Sequence, residues 1–330
     1  MFDFLKNNPL ASGAASARFR PRSVLIHFLL FFVVMTVGEA VAGIPVGLYA
    51  SYRLVKILGI DFFLPKDPAP STEEMVEKMN AAAAEIAGED VYLLISLFSM
   101  LLLGLIALLY CRLIERRPLA SMGLRCPSRR ELLRYGIGLA SGLAMFLVTG
   151  ILLVLTGAVS VSSGTYQPLM LVLYLFAFLI QGAAEEILVR GYFMVSLTTI
   201  TSPQRALLCS AFLFALMHVE NVGFSFLAVL NIFLFGILLG LIVFRTQSLA
   251  LAAALHGIWN FAEGNLLGLP VSGLVPKTSV LSSALEEARL LTNGGAFGPE
   301  GGAVVSAVLL LALAVFVLLL PKSGEATLDR

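Results

Sequence analysis

Eight apolar runs constrain the fold of this chain more than any other feature of its sequence. A helix of around 20 apolar residues crosses the hydrocarbon core of a bilayer, and the runs lack the alternation seen in the roughly ten-residue strands of outer-membrane barrels. Charged residues make up only 13% of the sequence, whereas soluble domains carry about 25%. We therefore predict an all-α fold, a polytopic membrane helical bundle of about eight transmembrane helices.

The predicted bundle divides the chain into five parts. A basic leader spans residues 1–23, and residues 24–157 hold the first three helices. A helical core follows at residues 168–268, then a Gly/Ser-rich loop at residues 269–302, and the last helix with its tail at residues 303–330. The predicted helices are Val24–Leu48, Val91–Tyr110, Tyr135–Gly157, Pro168–Ile200, Arg205–Val219, Val222–Phe244, the run that carries LHGIWNF, and Ala303–Leu320.

Arginine is concentrated in the loop at about residues 111–134, which has seven arginines against two glutamates. Short loops rich in Lys and Arg stay in the cytoplasm, so this loop is predicted to be cytoplasmic. The leader carries four further cations on the same side of two intervening helices: Lys6, Arg18, Arg20 and Arg22. We therefore predict that both termini are cytoplasmic, as in a protein of the bacterial inner (plasma) membrane.

The segment at about residues 51–90 is predicted to be an extracytoplasmic excursion, on the face away from the basic loops. It is polar, and Ser71 to Glu74 has the pattern of a capping box that begins a short amphipathic helix. By the same alternation the loop 269–302 is extracytoplasmic, with a short helix expected around Ala284–Leu291.

Charge and cysteine content exclude some classes of partner. The net charge is +1 and no domain is strongly basic, so the sequence predicts no nucleic-acid partner. The three cysteines lack CxxC spacing, which supports neither a disulfide framework nor a thiolate metal site. The expected surroundings are the lipid bilayer and a membrane protein or peptide.

Charged residues interrupt the fourth apolar run in the stretch QGAAEEILVRGYF. A charge at this depth costs at least about 2.5–3.5 kcal/mol, so its presence needs a reason. Glu186 and Arg190 are four residues apart on one helical face and are predicted to pair. Glu185 is turned about 100° away and is the free carboxylate available for chemistry. The alternative is a structural ion network that fixes the helix register.

Two further helices are predicted to bring polar residues to the same region. Glu185 and His218 lie about sixteen residues to either side of a turn, so antiparallel helices would place them at one height. His256 and Asn260 stand four apart on one face of the seventh helix. A glutamate and two histidines from facing helices are suited to activating water. Glu39, deep in the first run, is expected to face the bundle interior or a cavity.

Three short motifs occur in order on successive predicted helices: EExxxR at Glu185, Glu186 and Arg190; FxxxH at Phe214 and His218; HxxxN at His256 and Asn260. Over roughly residues 168–265 the chain resembles the CPBP family of intramembrane proteases, also called the Abi or CAAX protease family. Its eukaryotic members include the type II CAAX prenyl endopeptidase. The resemblance implies that residues 168–268 form the catalytic core.

The resemblance also implies a role for each motif residue. Glu185 would activate the attacking water, with His218 beside it. His256 and Asn260 would hold the oxyanion of the tetrahedral intermediate, and the Glu186–Arg190 pair would orient the helix. Preorganised donors stabilise a developing oxyanion most where water is scarce.

The motifs leave open whether the reaction uses a metal. The family has been described both as metalloproteases and as metal-independent glutamate proteases. Glu185, His218 and His256 are ligand types that zinc accepts, and three of them would leave a position for water. The sequence lacks the compact HExxH arrangement, and we favour a reaction with no obligatory metal, with zinc as the alternative cofactor.

The function predicted from the sequence is an intramembrane endopeptidase that cuts a membrane-associated protein or peptide, with a lipidated substrate suggested by the resemblance. One alternative is an ion- or proton-coupled transporter whose buried Glu, His and Asn relay protons or bind an ion. A second alternative is a catalytically inactive membrane scaffold or immunity protein. Peptide cleavage that depends on Glu185 would distinguish the endopeptidase from the transporter and from the inactive scaffold.

Overall fold

The computed structural model describes residues 3–6, 8–64 and 71–319. These residues form an all-α helical membrane protein with one small sheet. The helices are α1 Asp3–Lys6, α2 Pro9–Ala14, α3 Val24–Leu58, α4 Thr72–Ala87, α5 Asp90–Leu109, α6 Arg129–Leu155, α7 Pro168–Glu186, α8 Val195–Leu197, α9 Pro203–Leu216, α10 Phe226–Thr246, α11 Ala250–Phe261, α12 Leu290–Asn293 and α13 Ala303–Leu318.

Shorter elements join and extend these helices. The π-helical segments are Tyr110–Glu115, Ile187–Met194 and Ala262–Leu266. The 3₁₀ turns are Ile60–Phe63, Leu119–Met122, Glu287–Arg289, Gly295–Phe297 and Pro299–Gly301. Two antiparallel strands, β1 Val159–Ser163 and β2 Leu281–Leu285, pair in the register that places Val159 opposite Leu285.

Five helices in the described residues are long and apolar enough to cross a bilayer. They are Val24–Leu58, Asp90–Glu115, Arg129–Leu155, Pro168–Leu197 and Phe226–Thr246. Pro203–Leu216 and Ala303–Leu318 are apolar but shorter. An integral membrane protein is therefore supported, and the count of eight crossings stays a prediction.

The first helix was predicted to end at Leu48, and this is wrong because α3 continues to Leu58. Its last turns hold polar side chains that reach the start of α5: the Tyr49 hydroxyl and the Arg53 guanidinium both donate to Glu89. These contacts keep the polar sequence helical. The predicted capping box is confirmed, since Ser71 Oγ accepts from the Glu74 amide at 3.1 Å at the start of α4.

The loop after α11 contains a strand where a helix around Ala284–Leu291 was predicted. Residues Leu281–Leu285 form β2, and most of the rest of the predicted range lies in the 3₁₀ turn Glu287–Arg289 and the start of the four-residue α12. The partner strand β1 lies more than a hundred residues earlier in the chain. Serine-rich strands of this length show little periodicity, so the pairing comes from tertiary contact.

The described part of the leader folds against the bundle. Leu5, Leu10 and Ala14 are buried, and Asn8 Nδ2 donates to the Phe244 carbonyl oxygen at 2.8 Å. The predicted basic leader is therefore packed at the end of α10.

The connections between helices gather at two opposite ends of the bundle. At the first, the leader, residues 110–128 and residues 247–249 meet: the Leu249 amide donates to the Gly123 carbonyl oxygen at 3.0 Å. We name this the arginine end. At the second, β1, β2, the α4–α5 link and the loop 267–302 meet: Thr278 Oγ1 donates to Asp90 Oδ2 at 2.9 Å. We name this the strand end.

Glycines let α6 pack closely on α11. A Cβ placed at Gly138 would collide with the Leu251 carbonyl oxygen, and one at Gly142 would meet the Leu255 carbonyl oxygen at 2.5 Å. The GxxxG spacing of these two glycines is typical of helices that pack this closely in membranes.

Candidate active site

A cavity of about 810 Å³ lies inside the bundle between α3, α5, α7, α9, α10 and α11. All four predicted catalytic residues line it: Glu185, His218, His256 and Asn260. Glu186 and Arg190 do not line the cavity and are fully buried behind its wall. The structure thus brings the three motifs together and separates their cavity-facing residues from the supporting pair.

Two glycines set the distance between α7 and α11. A Cβ placed at Gly182 would lie 2.7 Å from the Gly257 amide nitrogen, and one at Gly257 would lie 2.7 Å from Leu179 Cα. No side chain fits between the two backbones at this crossing. The polar residues of α7 and those of α11 flank the crossing and therefore meet, although the sequence analysis did not single out either glycine.

The two oxygens of Glu185 have different surroundings. Oε1 accepts a hydrogen bond from Gln181 Nε2 at 2.5 Å. Oε2 is buried, accepts no hydrogen bond from any residue that the structure describes, and lies 3.8 Å from His256 Nε2. One oxygen is therefore held in place while the other keeps its capacity to bind a ligand.

Gln181 connects the carboxylate to the second helix and was missed as a site residue. Its Oε1 accepts from Asn260 Nδ2 at 2.9 Å while its Nε2 donates to Glu185. A carboxylate only accepts, so these two bonds fix the orientation of the Gln181 amide. The signal was present in the sequence, because Gln181 is four residues before Glu185 on the same helical face.

The predicted pair of Glu186 and Arg190 is present, with Arg190 Nη1 donating to Glu186 Oε1 at 2.7 Å. His256 Nδ1 lies 3.2 Å from the same oxygen. Since the carboxylate accepts, Nδ1 carries the hydrogen, and His256 Nε2 faces Glu185. The pair therefore fixes the orientation of His256 as well as that of its own helix.

The helix predicted to continue to Ile200 is present as far as Leu197, but within it α7 ends at Glu186 and residues Ile187–Met194 are π-helical. A buried side chain from the arginine end binds this segment: Arg117 Nη2 donates to the carbonyl oxygens of Gly191 at 3.0 Å and Tyr192 at 3.3 Å. Isolated π-helical turns are common at functional sites. Here the segment carries Arg190.

Phe214 lies between the two histidines of the site. Its ring centroid is 4.9 Å from that of His218 and 5.8 Å from that of His256, and Arg190 Cζ is 4.2 Å from the same centroid. His218 Nδ1 donates to the Phe214 carbonyl oxygen at 2.8 Å. Nδ1 therefore carries a hydrogen, and Nε2 is the ring nitrogen left to face a ligand.

The residues considered as zinc ligands do not fit a metal site. Within the described ranges no three or more His, Cys, Asp and Glu side chains are grouped so that they could hold a metal ion. Glu185 and His256 are close, but His218 does not complete a set with them. The alternative prediction of zinc on Glu185, His218 and His256 is not supported by these positions.

Further polar residues line the cavity away from the motifs. Glu39 reaches it from α3, in agreement with the expectation that this carboxylate faces a cavity. Trp259 Nε1 donates to Glu300 Oε1 at 3.1 Å, and Ser272 Oγ donates to the other oxygen of Glu300. Glu300 was not predicted to have a role, because its partners Trp259 and Ser272 lie far from it in the chain.

Residues 167–262 match the family model described as Type II CAAX prenyl endopeptidase Rce1-like. No curated protein and no solved structure matches the chain significantly. The matched segment contains all three motifs, and the match indicates a protease, that is, a hydrolase. The resemblance predicted from the motifs is confirmed by this match, which is consistent with the CPBP or CAAX protease family over residues 167–262.

Proposed function

We propose that the protein is an intramembrane endopeptidase that hydrolyses a peptide bond of a membrane-associated protein or peptide. The observation that carries the proposal is the free Oε2 of Glu185, buried in a cavity wall within the family-matched segment. A buried carboxylate oxygen with no hydrogen-bond partner is costly unless a ligand uses it. A water molecule bound there is positioned for activation.

In the proposed reaction Glu185 is the general base. The water oxygen attacks the scissile carbonyl carbon, and one water proton passes to Glu185 Oε2. His218 Nε2 accepts a hydrogen bond from the second water hydrogen and so orients the water. When the tetrahedral intermediate collapses, the C–N bond breaks and the leaving nitrogen takes the proton from Glu185.

His256 and Asn260 are proposed to bind the oxyanion. Asn260 Nδ2 has a second hydrogen that its bond to Gln181 leaves available. His256 can donate from Nε2 only if both ring nitrogens carry hydrogen, because Nδ1 already donates to Glu186. His256 therefore acts as an imidazolium, and its positive charge is held by Glu186 on one side and Glu185 on the other.

The proposal routes no step through a metal, since the candidate ligands are not grouped as a metal site. All bond-making in the proposed reaction is assigned to water and protein groups. Activity is expected to persist in the presence of a chelator. Loss of activity with chelator that zinc restores, and magnesium does not, would contradict this assignment.

The proposed substrate is a protein or peptide that is associated with the membrane. The family description names a prenyl endopeptidase, so a lipidated protein is one substrate class within the proposal. The cavity of about 810 Å³ is of the size that binds drug-sized ligands and short peptide segments.

The test is cleavage of a quenched fluorescent peptide library by detergent-purified protein, with Glu185→Gln beside the wild type and with chelator and zinc as parallel arms. Glu220→Gln is the matched control, because Glu220 is exposed and outside the cavity lining. Cleavage by wild type and control but not by Glu185→Gln supports the proposal. Solute accumulation in proteoliposomes that depends on Glu185, with no cleaved peptide, would support a transporter instead.

A further inference from the structure

The cavity opens at the strand end of the bundle. Four of its lining residues are exposed there, one at the end of α4 and three in the loop after α11: Ala87, Leu274, Val275 and Lys277. The same region contains the contact between Asp90 and Thr278 that defines the strand end. We call these four residues the mouth.

The arginine end is closed beneath the site. Arg117, Met122 and Tyr192 are buried there, and the leader packs over the same region through α2. Among the described residues, none from 1–38, 110–177, 186–213 or 236–255 lines the cavity. A peptide therefore has no visible path to Glu185 through this end.

The position of Glu185 along its helix shows how close the site lies to the residues that close the arginine end. Glu185 is six residues before Gly191, whose carbonyl oxygen binds Arg117, which corresponds to about 9 Å of helix. It is seventeen residues after Pro168 at the strand end, or about 26 Å. The side chain of Arg117, which closes the arginine end, therefore binds the same helix within about 9 Å of Glu185, on the side away from the mouth.

A side opening accompanies the mouth. Glu39 lies near the middle of α3, is exposed and lines the cavity. A carboxylate at this depth is tolerated when it faces water or protein and not lipid chains. The cavity thus reaches the flank of the bundle beside α3, where a segment anchored in the bilayer could approach.

Lys and Arg are concentrated at the closed end, which the positive-inside rule assigns to the cytoplasm. We propose that the substrate enters from the extracytoplasmic side, so that the enzyme cuts a membrane-anchored protein or peptide in its extracytoplasmic juxtamembrane segment. A lipidated carboxyl-terminal tail on the cytoplasmic side does not reach the mouth. The direction of access stands on the cavity and the charge distribution, and the cleavage rests on the proposed function.

Thiol labelling in sealed spheroplasts tests the direction without any need for activity. Cys126 is exposed in the arginine-end loop and is a natural reporter of that side, while Cys111 is buried. Val275→Cys reports the mouth and Ser96→Cys reports the cavity interior, each in a background with Cys126→Ser and Cys209→Ser. Leu274→Cys and Met100→Cys replace either variant that fails to fold.

With a membrane-impermeant maleimide, Val275→Cys and Ser96→Cys are expected to be labelled in sealed spheroplasts. Native Cys126, in a chain with Cys209→Ser, is expected to react only after permeabilisation. Labelling of Ser96→Cys only after permeabilisation would overturn the direction of access, even with Val275→Cys labelled from outside. Labelling of Cys126 from outside would overturn the orientation.

A second experiment adds an impermeant quenched peptide to the outside of proteoliposomes sorted by the accessibility of Cys126. Cleavage is expected only in vesicles whose Cys126 is protected, and a bulky maleimide on Val275→Cys is expected to block it. Cleavage only in vesicles with exposed Cys126 would overturn the inference. If the protein also fails to cleave the peptide in detergent, the result counts against the proposed function. The labelling experiment then decides from which side of the membrane the cavity is reached.

Discussion

Two buried polar clusters differ in how completely their hydrogen bonds are satisfied. At the arginine end both oxygens of Glu115 are bonded, Oε2 by Arg117 Nε at 2.5 Å and Oε1 by Ser196 Oγ at 2.8 Å. At the cavity, Glu185 has one oxygen bonded by Gln181, whereas the other accepts no hydrogen bond from a described residue. A hydrogen-bond network in which every polar atom has a partner makes the fold rigid. A network that leaves a polar atom without a hydrogen bond can still bind a ligand through that atom.

The two clusters are connected through the carboxylate helix. Arg117 also binds carbonyl oxygens of Ile187–Met194, the π-helical segment that begins directly after Glu186. The satisfied cluster thus anchors the helix that presents the unsatisfied carboxylate. Substitutions in the first cluster should change stability, and substitutions in the second should change activity.

The largest effect is expected for Glu185→Gln in the cavity cluster. The substitution keeps the side-chain shape and removes the base, so the cleavage rate should fall by about 10²–10⁴-fold. The free energy of unfolding should change by less than about 1 kcal/mol, because a single hydrogen bond is altered. Peptide cleavage and thermal unfolding in detergent measure the two quantities. A wild-type rate in this variant would remove Glu185 from the mechanism.

Arg117→Met should show the opposite pattern. Removing one partner of a buried ion pair leaves the Glu115 charge uncompensated, and the free energy of unfolding should fall by about 3–5 kcal/mol. Arg112→Met, in the same loop but exposed, is the matched control and should stay within about 0.5 kcal/mol of the wild type. Equal unfolding temperatures for the two variants would contradict the structural role of Arg117.

Gly182→Ala tests the crossing that joins the two halves of the site. A Cβ would lie 2.7 Å from the Gly257 amide nitrogen, so the helices must separate. Overpacking of this kind costs about 1–3 kcal/mol, and cleavage should fall with it. Gly136→Ala on α6 is the control, since a Cβ there meets nothing within 4 Å. A fully active and stable Gly182→Ala protein would show that the crossing is not required.

Gln181→Leu should lower kcat by about 10–100-fold, the equivalent of one hydrogen bond to a charged group. KM should change little, because Gln181 is expected to position Glu185 and Asn260 and not the substrate. Ser96→Ala is the control, since Ser96 lines the cavity but bonds only within its own helix. A change confined to KM would instead indicate direct contact with the substrate.

The smallest effect is expected at the strand end, outside the site. Hydrogen bonds from Arg53, and then from Tyr49, hold the pKa of the Glu89 carboxyl below its ordinary value. The stabilisation is present above the ordinary pKa and is lost as pH falls through the lowered one. Arg53→Met should lower the unfolding temperature only slightly at pH 7, because exposed ion pairs are screened by solvent, and the difference should disappear on acidification. A difference that grows on acidification would contradict this sign.

The sequence predicted the parts of the site that depend on local spacing. Glu186 and Arg190 pair as their four-residue separation suggested, and the three motifs meet at one cavity. Glu185 and His218, which the turn between the fourth and fifth helices predicted at one height, both line this cavity. Apolar periodicity also located the helices, although their ends moved by up to ten residues, as at Leu58.

The parts that the sequence did not predict depend on contacts between distant residues. Arg117 was counted only as a cytoplasmic charge, yet it is buried against carbonyl oxygens more than seventy residues later. The strand pair β1 and β2 lies more than a hundred residues apart in sequence. Nothing in the local composition of these segments records their partners, whereas Gln181 could have been found from its spacing.

The crossing at Gly182 and Gly257 has a consequence for how such an enzyme can diversify. Because the two backbones touch there, main-chain contact sets the spacing between the helix that carries Glu185 and the helix that carries His256 and Asn260, the proposed oxyanion donors. The walls around the cavity can then change size, charge or polarity without altering that spacing. If the proposed function holds, substitutions at the mouth should change which peptides are cleaved without moving the helix that carries Glu185 relative to the helix that carries His256.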